Sequence, residues 1–550
     1  MTIVIRTNCN GTLGHLARCR HISKQLQTHG YQTVFLLDKT PDFALNWLDD
    51  IAWEAVYPDQ DEQFIDQHQD SRLCVALAGK HQPILIIVDD YRLDHHWEAE
   101  VAHHCPWVMA LDDLGRDHCV DILLEPRYTI AQDKREHTDH CLIMKGPDFT
   151  LLDPAYSQPR VQKSNDTFTV MFGLGGGGNM HVIHDCMLQL LEAPLAPCSD
   201  DDQQLRLMPV IGPMATNTSL IHALAKQYPH QISVIEPREQ LADVYRSADL
   251  FVGAAGTSVY EAAACEVPAL TLSLSDNQQS QLADLEPLGH YFHTNDFNHE
   301  NTAALAGTIL AFREQYARVK LLTDHAALKI DGRGVQRVCE KIVSLIKRGE
   351  AERRVVCPAP GNSKSAGSQT AAAPATTTDF TVAPCTDADI NSYLDARTLP
   401  ANRGNMTTTA KIDRLHHYRW WFQTKRQSFR VEQQQCTRLY IWHEVVCPQD
   451  KQVLIGGWFV TDEHIDFACV MSALSWQLAH TDRHHPGVPW VAVIRKSNRF
   501  VLKMNLRAGF TLVEPCSDLH KIVQTGFPDA SAHDFHFLYR GVEGGQSATL

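Results

Sequence analysis

Short, unbroken apolar runs alternate with helical stretches along the first 345 residues or so, and no other feature constrains the fold as tightly. The runs cover residues 3–6, 33–37, 84–88, 108–111 and 122–124, then a second series at 168–173, 205–211, 232–235, 250–252 and 269–274. A run that is apolar at every position is a strand buried on both faces, and such strands, separated by helices, pair in parallel. Two series predict an α/β body of two Rossmann-like lobes joined near residues 150–165, with boundaries at 1–160 and 161–350. Ligands of such sheets bind beyond the carboxyl ends of the strands, so the expected site is the cleft between the lobes. No short-period internal repeat is present.

One stretch breaks the composition. Residues 357–384 are dominated by Ala, Thr, Ser, Pro and Gly, as in Pro358-Ala359-Pro360-Gly361 and Ala371-Ala372-Ala373-Pro374. Such a segment buries too little surface to order itself and predicts a flexible linker to a tail at 385–550. In the tail, residues 439–446, 453–460 and 490–494 read as strands, and 467–479 and about 498–508 as helices. The 550 residues carry a formal charge of −16, with a pI near 6.0. That argues against a general binder of nucleic acid or anionic membranes, which needs a cationic face. The opening residues 1–6 form no secretory signal, no run approaches a membrane span, and the 16 cysteines include no C-x-x-C pair. The expectation is a cytoplasmic protein with reduced, buried thiols and no metal centre.

Four motifs carry candidate chemistry. Gly11-Thr12-Leu13-Gly14-His15-Leu16-Ala17-Arg18-Cys19 follows the first strand and opens a helix, with Leu16, Cys19, Ile22 and Leu26 as its buried stripe. Glycines at such a turn let backbone N–H groups approach an anion, and His15 in the first turn has the placement of a general base. The plain alternative is a turn with an incidental histidine. Phe172-Gly173-Leu174-Gly175-Gly176-Gly177-Gly178-Asn179 follows the first strand of the second lobe. It exposes bare backbone to a phosphate or sugar, or is simply a floppy turn. Gly253-Ala254-Ala255-Gly256-Thr257-Ser258-Val259-Tyr260-Glu261-Ala262 reads as a pyrophosphate cradle, with Glu261 placed to accept ribose hydroxyls; the alternative is an ordinary helix with an acidic first turn. Leu274-Ser275-Asp276-Asn277-Gln278-Gln279 offers amides to sugar hydroxyls, and alone is only a turn.

Taken in order, these motifs over about residues 1–345 resemble the UDP-sugar hydrolases of pseudaminic acid biosynthesis. Ala110-Leu111-Asp112-Asp113-Leu114, Cys119-Val120-Asp121-Ile122-Leu123-Leu124 and Val88-Asp89-Asp90-Tyr91 also fit. The resemblance implies a GT-B-like enzyme that hydrolyses UDP-2,4-diacetamido-2,4,6-trideoxy-β-L-altropyranose to free sugar and UDP without a metal or other cofactor. It implies His15 as the water-activating residue and Tyr91 as an active-site tyrosine. Gly14, Arg18, Gly176, Gly177, Asn179, Gly256, Thr257, Ser258 and Glu261 would hold the substrate with Asn277 and Gln278. Arg6-Thr7-Asn8 departs from the family, which usually carries aspartate where Asn8 stands, so no charge is available there to orient His15.

In the tail, Trp490-Val491-Ala492-Val493-Ile494 with Asn498 and Gly509-Phe510 resembles the last motif of GNAT acyltransferases. The stretch from Ile412 through His416-His417-Tyr418-Arg419-Trp420-Trp421-Phe422 resembles their early helix. This implies a GNAT-like α+β domain in which Val493 and Asn498 line an acetyl-CoA site and an amino sugar is the acceptor. The departure is Thr461-Asp462-Glu463-His464-Ile465-Asp466, an acidic stretch where the family holds pyrophosphate on glycines, so a decayed accessory domain stays open. His480 and His484 have helical metal spacing but no third ligand, and read as a solvated helix end. Asp89-Asp90 and Asp112-Asp113 read as cleft-edge polarity or helix caps rather than a metal site, and Trp420, Trp421 and Phe422 as core.

Two rivals stand beside hydrolysis. A GT-B glycosyltransferase would replace water by a sugar acceptor; an exposed apolar patch on the first lobe would favour a lipid acceptor, although no amphipathic basic stretch is evident. A non-catalytic nucleotide-sugar binding module would carry Asn8 and the acidic stretch as marks of lost activity. The oligomeric state is left open.

Overall fold

The computed structural model describes residues 1–9, 13–41, 48–58, 66–130, 141–159, 167–193, 204–273, 282–295, 297–349, 380–462, 465 and 467–541. The chain divides into two compact units, Met1–Gly361 and Asn362–Leu550.

In the first unit, β1 (Thr2–Thr7), β2 (Gln32–Lys39), β3 (Ala52–Tyr57), β4 (Pro83–Asp89), β5 (Trp107–Leu111), β6 (Ile122–Glu125) and β7 (Leu142–Lys145) form a sheet in the order β3-β2-β1-β4-β5-β6-β7. Every neighbouring pair is parallel. Ile3 and Ile5 pack on one face with Leu16, Cys19, Ile22 and Leu26 of the Gly14–Thr28 helix, and Val4 packs on the other with Trp97 and Val101. Burial on both faces is why the run has no polar alternation. The chain leaves β1 toward β2 and β3, then returns to β4 on the other side, so the strand order reverses between β1 and β4.

The second lobe repeats the plan. β8 (Thr167–Gly173), β9 (Gly177–Asn179), β10 (Gln204–Val210), β11 (Met214–Thr216), β12 (Leu250–Ala254), β13 (Ala269–Leu272) and β14 (Phe292–Thr294) supply a parallel sheet ordered β10-β8-β12-β13-β14 and a small β11-β9 ladder. Its reversal lies between β8 and β12. The two lobes make the body an α/β, GT-B-like structure. The expected strand at 232–235 is reduced to isolated bridges from Ile232 and Ile235 to the β10 edge, because only Ile232 of that run is buried.

The lobe boundaries differ from the linear reading. Leu152 and Tyr156 already belong to the second lobe's core. The Gly334–Gly349 helix returns to the first lobe, where Val335, Val338, Cys339 and Ile342 join the core of the first helix. A composition-based boundary cannot detect a helix that crosses back.

The second unit is one mixed sheet, β15 (Thr381–Pro384), β16 (Gln427–Gln433), β17 (Cys436–Val446), β18 (Val453–Val460), β19 (Trp490–Arg495), β20 (Thr511–Leu512) and β21 (Phe535–Arg540), ordered β15-β16-β17-β18-β19-β21-β20. All pairs are antiparallel except β18 with β19. Those two meet in register only at Leu454 and Trp490, and then diverge. The end of the expected linker is corrected: residues 381–384 are strand β15, held by pairing of Val382 with Val431. Residues 357–379 of that expectation lie outside the described residues. Among the described residues no helix is long and apolar enough to cross a membrane, and every described cysteine is a free thiol.

Candidate functional site

Both order reversals deliver loops to one crevice. The Gly14–Thr28 helix starts just beyond β1 with no side-chain cap on its N-terminus. His15 sits in its first turn, and Asp89 is the last residue of β4, the neighbouring strand. His15 Nδ1 lies 2.7 Å from Asp89 Oδ1. A carboxylate only accepts, so in this pair Nδ1 is the donor, and Nε2 has no partner among the described residues. The histidine side chain is 12% exposed and the aspartate fully buried. Arg18, one turn on, donates to both oxygens of Asp89 and to Asp113. Charge pairing with Arg18 and His15 outweighs the burial of Asp89 and holds its carboxyl far below the usual range. Tyr91 donates to Asp113 at 2.9 Å, and its ring meets His15 edge-on at 4.6 Å. Burial and then Asp113 push the Tyr91 phenol upward, so it stays protonated.

The second lobe faces this cluster with two glycine loops. Gly176 approaches Leu13 so closely that an added Cβ would lie 3.3 Å from the Leu13 backbone nitrogen. The loop is not floppy: Gly177–Asn179 is strand β9, and Met214 N donates to Gly176 O at 2.8 Å. Gly178, at φ +122, occupies backbone space that other residues rarely enter. After β12, Gly256 borders open space, Thr257 is exposed, and the Ser258–Ala264 helix starts without a side-chain cap. Glu261 accepts from Tyr156 at 2.9 Å and Tyr245 at 3.1 Å. Burial raises its carboxyl against the pull of the two tyrosines. The lobes are tied by Arg20 to Glu239 at 2.9 Å and by Tyr128 N to Tyr260 Oη at 2.8 Å.

Several sequence expectations change. Arg18, expected at the substrate, bonds Asp89 and Asp113. Asn179 Oδ1 accepts from His181 N and Asn217 Nδ2, so it pins the loop. The charge expected two residues after Arg6 comes to His15 from Asp89 instead. Arg6 itself is buried against Asp70 and Asp90. Asn277 and Gln278 lie outside the described residues. His15, Gly14, Tyr91, Gly176, Gly256, Thr257, Ser258 and Glu261 are on loops or helix starts at the two reversals, and Gly177 opens the short strand β9. Sequence reasoning missed Asp113, Tyr156, Tyr245 and Tyr260 as partners; only the acidic ends of the β4 and β5 runs hinted at the first.

Behind the site, His118 is buried between Glu98 at 2.6 Å and Asp112 at 3.5 Å. Burial opposes its charge, but the two carboxylates win and raise the imidazole to about 9. A pKa raised on folding stabilises fully below the unfolded value near 6.5, and that contribution fades as pH rises through about 9. The expected contribution is about 3 kcal/mol. The difference in urea midpoint between wild type and His118→Gln should therefore be largest at pH 6 and nearly gone by pH 9.5. A difference independent of pH would contradict a charged His118.

In the second unit, Val493 lies on β19, half-buried, and Asn498 caps the Arg499–Arg507 helix by accepting from Val501 N at 3.2 Å. Asn498 is therefore occupied as a cap. Thr461 N bonds Arg438 O, so the N–H and C=O of Val460 point away from β17, and the Asn402 amide takes both. The divergence of β18 from β19 is thus closed at its wide end. With Asp462 beside it, this fits an acyl-CoA arm and its pyrophosphate poorly; Glu463, His464 and Asp466 lie outside the described residues. Trp421 and Phe422 are core, as expected, while Trp420 is half-buried. The rings of His480 and His484 stack at 4.0 Å. The only three-residue group among the described residues able to converge on a metal is Asp94, His95 and His96, elsewhere in the chain.

No family model matches the chain. The spore coat polysaccharide biosynthesis protein SpsG of Bacillus subtilis (strain 168) is 27% identical over 138 residues, 25% of this chain. The chain spans 39% of the length of that relative. Among solved structures, Acinetobacter baumannii MurG aligns at 15% identity over 63% of this chain and 99% of its own, with a TM-score of 0.43. The UDP-GlcNAc 2-epimerase from Neisseria meningitidis bound to UDP-GlcNAc aligns at 10% over 62% and 100%, TM-score 0.40. CalG4, the calicheamicin glycosyltransferase, aligns at 14% over 63% and 98%, TM-score 0.43.

Proposed function

We propose that the first unit is an enzyme acting on a nucleotide-linked sugar, and that it hydrolyses a UDP-linked diacetamido-trideoxy sugar to the free sugar and UDP. The observation that carries this reading is the His15–Asp89 pair, its Nε2 unengaged, at the reversal of one lobe, where the Gly176 loop of the other lobe meets Leu13. In the mechanism, Nε2 takes a proton from water as the water oxygen bonds to the anomeric carbon. The bond from that carbon to the diphosphate oxygen breaks, and the electron pair leaves with UDP. Uncapped N–H groups at the start of the Ser258–Ala264 helix, with Thr257 and Ser258, stabilise the developing charge. Glu261, oriented by Tyr156 and Tyr245, has a second lone pair on each oxygen for ribose hydroxyls. Polysaccharide biosynthesis in the name of the Bacillus relative supports a sugar substrate.

One observation favours a second reading, sugar transfer. Tyr91, Leu114 and Ile130 are 36%, 52% and 57% exposed, and each follows the carboxyl end of β4, β5 or β6. An acceptor with an apolar portion would find them there. The test is incubation with a panel of UDP-diacetamido sugars while following UDP and free sugar. Equal yields of both support hydrolysis, UDP without free sugar in the presence of an acceptor supports transfer, and no turnover of any donor contradicts both. Acetyl transfer by the second unit has Asn402 against it, since that amide occupies the Val460 N–H and C=O where β18 leaves β19.

A further inference from the structure

The second unit carries a cationic, aromatic cluster on one face of its sheet. Trp442 pairs across β17 and β18 with Gly457, and Tyr440 pairs with Phe459, so these four share a face. Arg426 enters from the start of β16 and lays its guanidinium 3.5 Å from the Trp442 ring centre and 5.2 Å from that of Trp420. Tyr393, on the Ile390–Thr398 helix, touches Phe459 at 5.1 Å and Trp420 at 6.2 Å. One turn on, Arg397 stands over Phe459 at 5.9 Å. Gly457 lets the Trp442 indole settle onto the strand beside it; an added Cβ would lie 3.1 Å from Trp442 Nε1.

The donors here outnumber their acceptors. Arg426 Nε and Trp442 Nε1 are buried without a hydrogen-bond partner. Glu444 lies 3.7 Å from Arg426 Nε, too far for a hydrogen bond. Arg397 reaches only the Thr408 carbonyl. The nearby acids are engaged elsewhere, Asp395 with Arg414 and Asp389 with Arg430. Burial, and then the charge of Arg426, lower the Arg397 guanidinium below its usual range, against the pull of Tyr393. Two half-buried cations brought together with one acid, Glu444, in ion-pair range of Arg426 favour a further incoming negative charge.

We propose that this face binds a small-molecule oxyanion, a sugar carboxylate or sugar phosphate, held by Arg397 and Arg426 with the Trp442 indole N–H as a further donor. The stacked indoles desolvate the Arg426 guanidinium, which strengthens its bonds to an oxyanion. This site is independent of the reading of the first unit, and its failure would leave that reading intact.

The test uses the full chain and two probes without a nucleotide, glucuronate and glucose 1-phosphate, titrated by calorimetry and tryptophan fluorescence. Saturable binding of either is expected, and the probe that binds identifies carboxylate or phosphate as the preferred group. Arg426→Gln and Arg397→Gln should each weaken binding at least tenfold, Trp442→Phe by a few-fold, and Arg426→Lys less than Arg426→Gln. Should Arg426→Gln fail to fold, Arg397→Gln carries the test from outside the indole stack. Binding of neither probe by wild type, or unchanged affinity in folded arginine variants, overturns the proposal.

Discussion

His15→Ala is expected to slow UDP release by about a thousandfold, within the range of lost general-base catalysis, while UDP affinity stays within about threefold of wild type. The split follows from the geometry. The imidazole faces the crevice from the first lobe, whereas the uncapped helix start proposed to hold the diphosphate belongs to the second. Removing the ring deletes a proton acceptor and leaves that helix start in place. Asp89→Asn is expected to fall by about as much for a different reason, within the range known for general-base loss. An amide can turn its N–H₂ toward Nδ1 and its oxygen toward Arg18, which moves the imidazole proton to Nε2 and removes the base. Kinetic assay of UDP release with calorimetry of UDP binding separates the two quantities. Unchanged turnover in His15→Ala removes His15 from the mechanism, and a parallel loss of affinity makes it a binding residue instead.

Gly253→Ala is expected to prevent the second lobe from folding. Gly253 pairs with Gly173 across β12 and β8, and an added Cβ would lie 1.9 Å from the Gly173 oxygen and 2.8 Å from Phe251 Cζ. The obstacle is the backbone of a central strand, which cannot move without breaking the ladder. A loss of about 4 kcal/mol or more is the expected scale for such a change. Gly256→Ala, three residues on, is the contrast. Its Cβ would meet nothing within 4 Å, so thermal stability should hold while the new methyl group intrudes on the proposed diphosphate path and weakens UDP binding. Urea unfolding and soluble yield measure the first effect and calorimetry the second. A Gly253→Ala protein as stable as wild type would contradict the close approach of β8 and β12.

How much was legible depended on whether a signal was local. Strands β1, β4, β8 and β12 are continuous apolar runs because both sheet faces are covered, and burial writes that pattern into the sequence. His15 was legible because a glycine turn between a strand and a helix is local too. Asp89 was visible only as an acidic strand end; its pairing with a residue 74 positions earlier was not. Tyr156 and Tyr245 meet at Glu261 from separate segments, and no spacing rule connects them. The carboxylate partners of Arg18 were hidden for the same reason, since a basic residue beside a phosphate-type turn reads by itself as a ligand.

The sequence by itself determined the central strands, the two-lobed plan of the first unit and the placement of glycine turns at strand ends, because backbone geometry and two-sided burial act on neighbouring residues. Only the tertiary structure decided which charges meet, where the Gly334–Gly349 helix packs, and that an asparagine closes the divergence of β18 from β19. Those outcomes depend on side chains far apart along the chain, whose burial forces each polar group to find whatever partner the fold brings near.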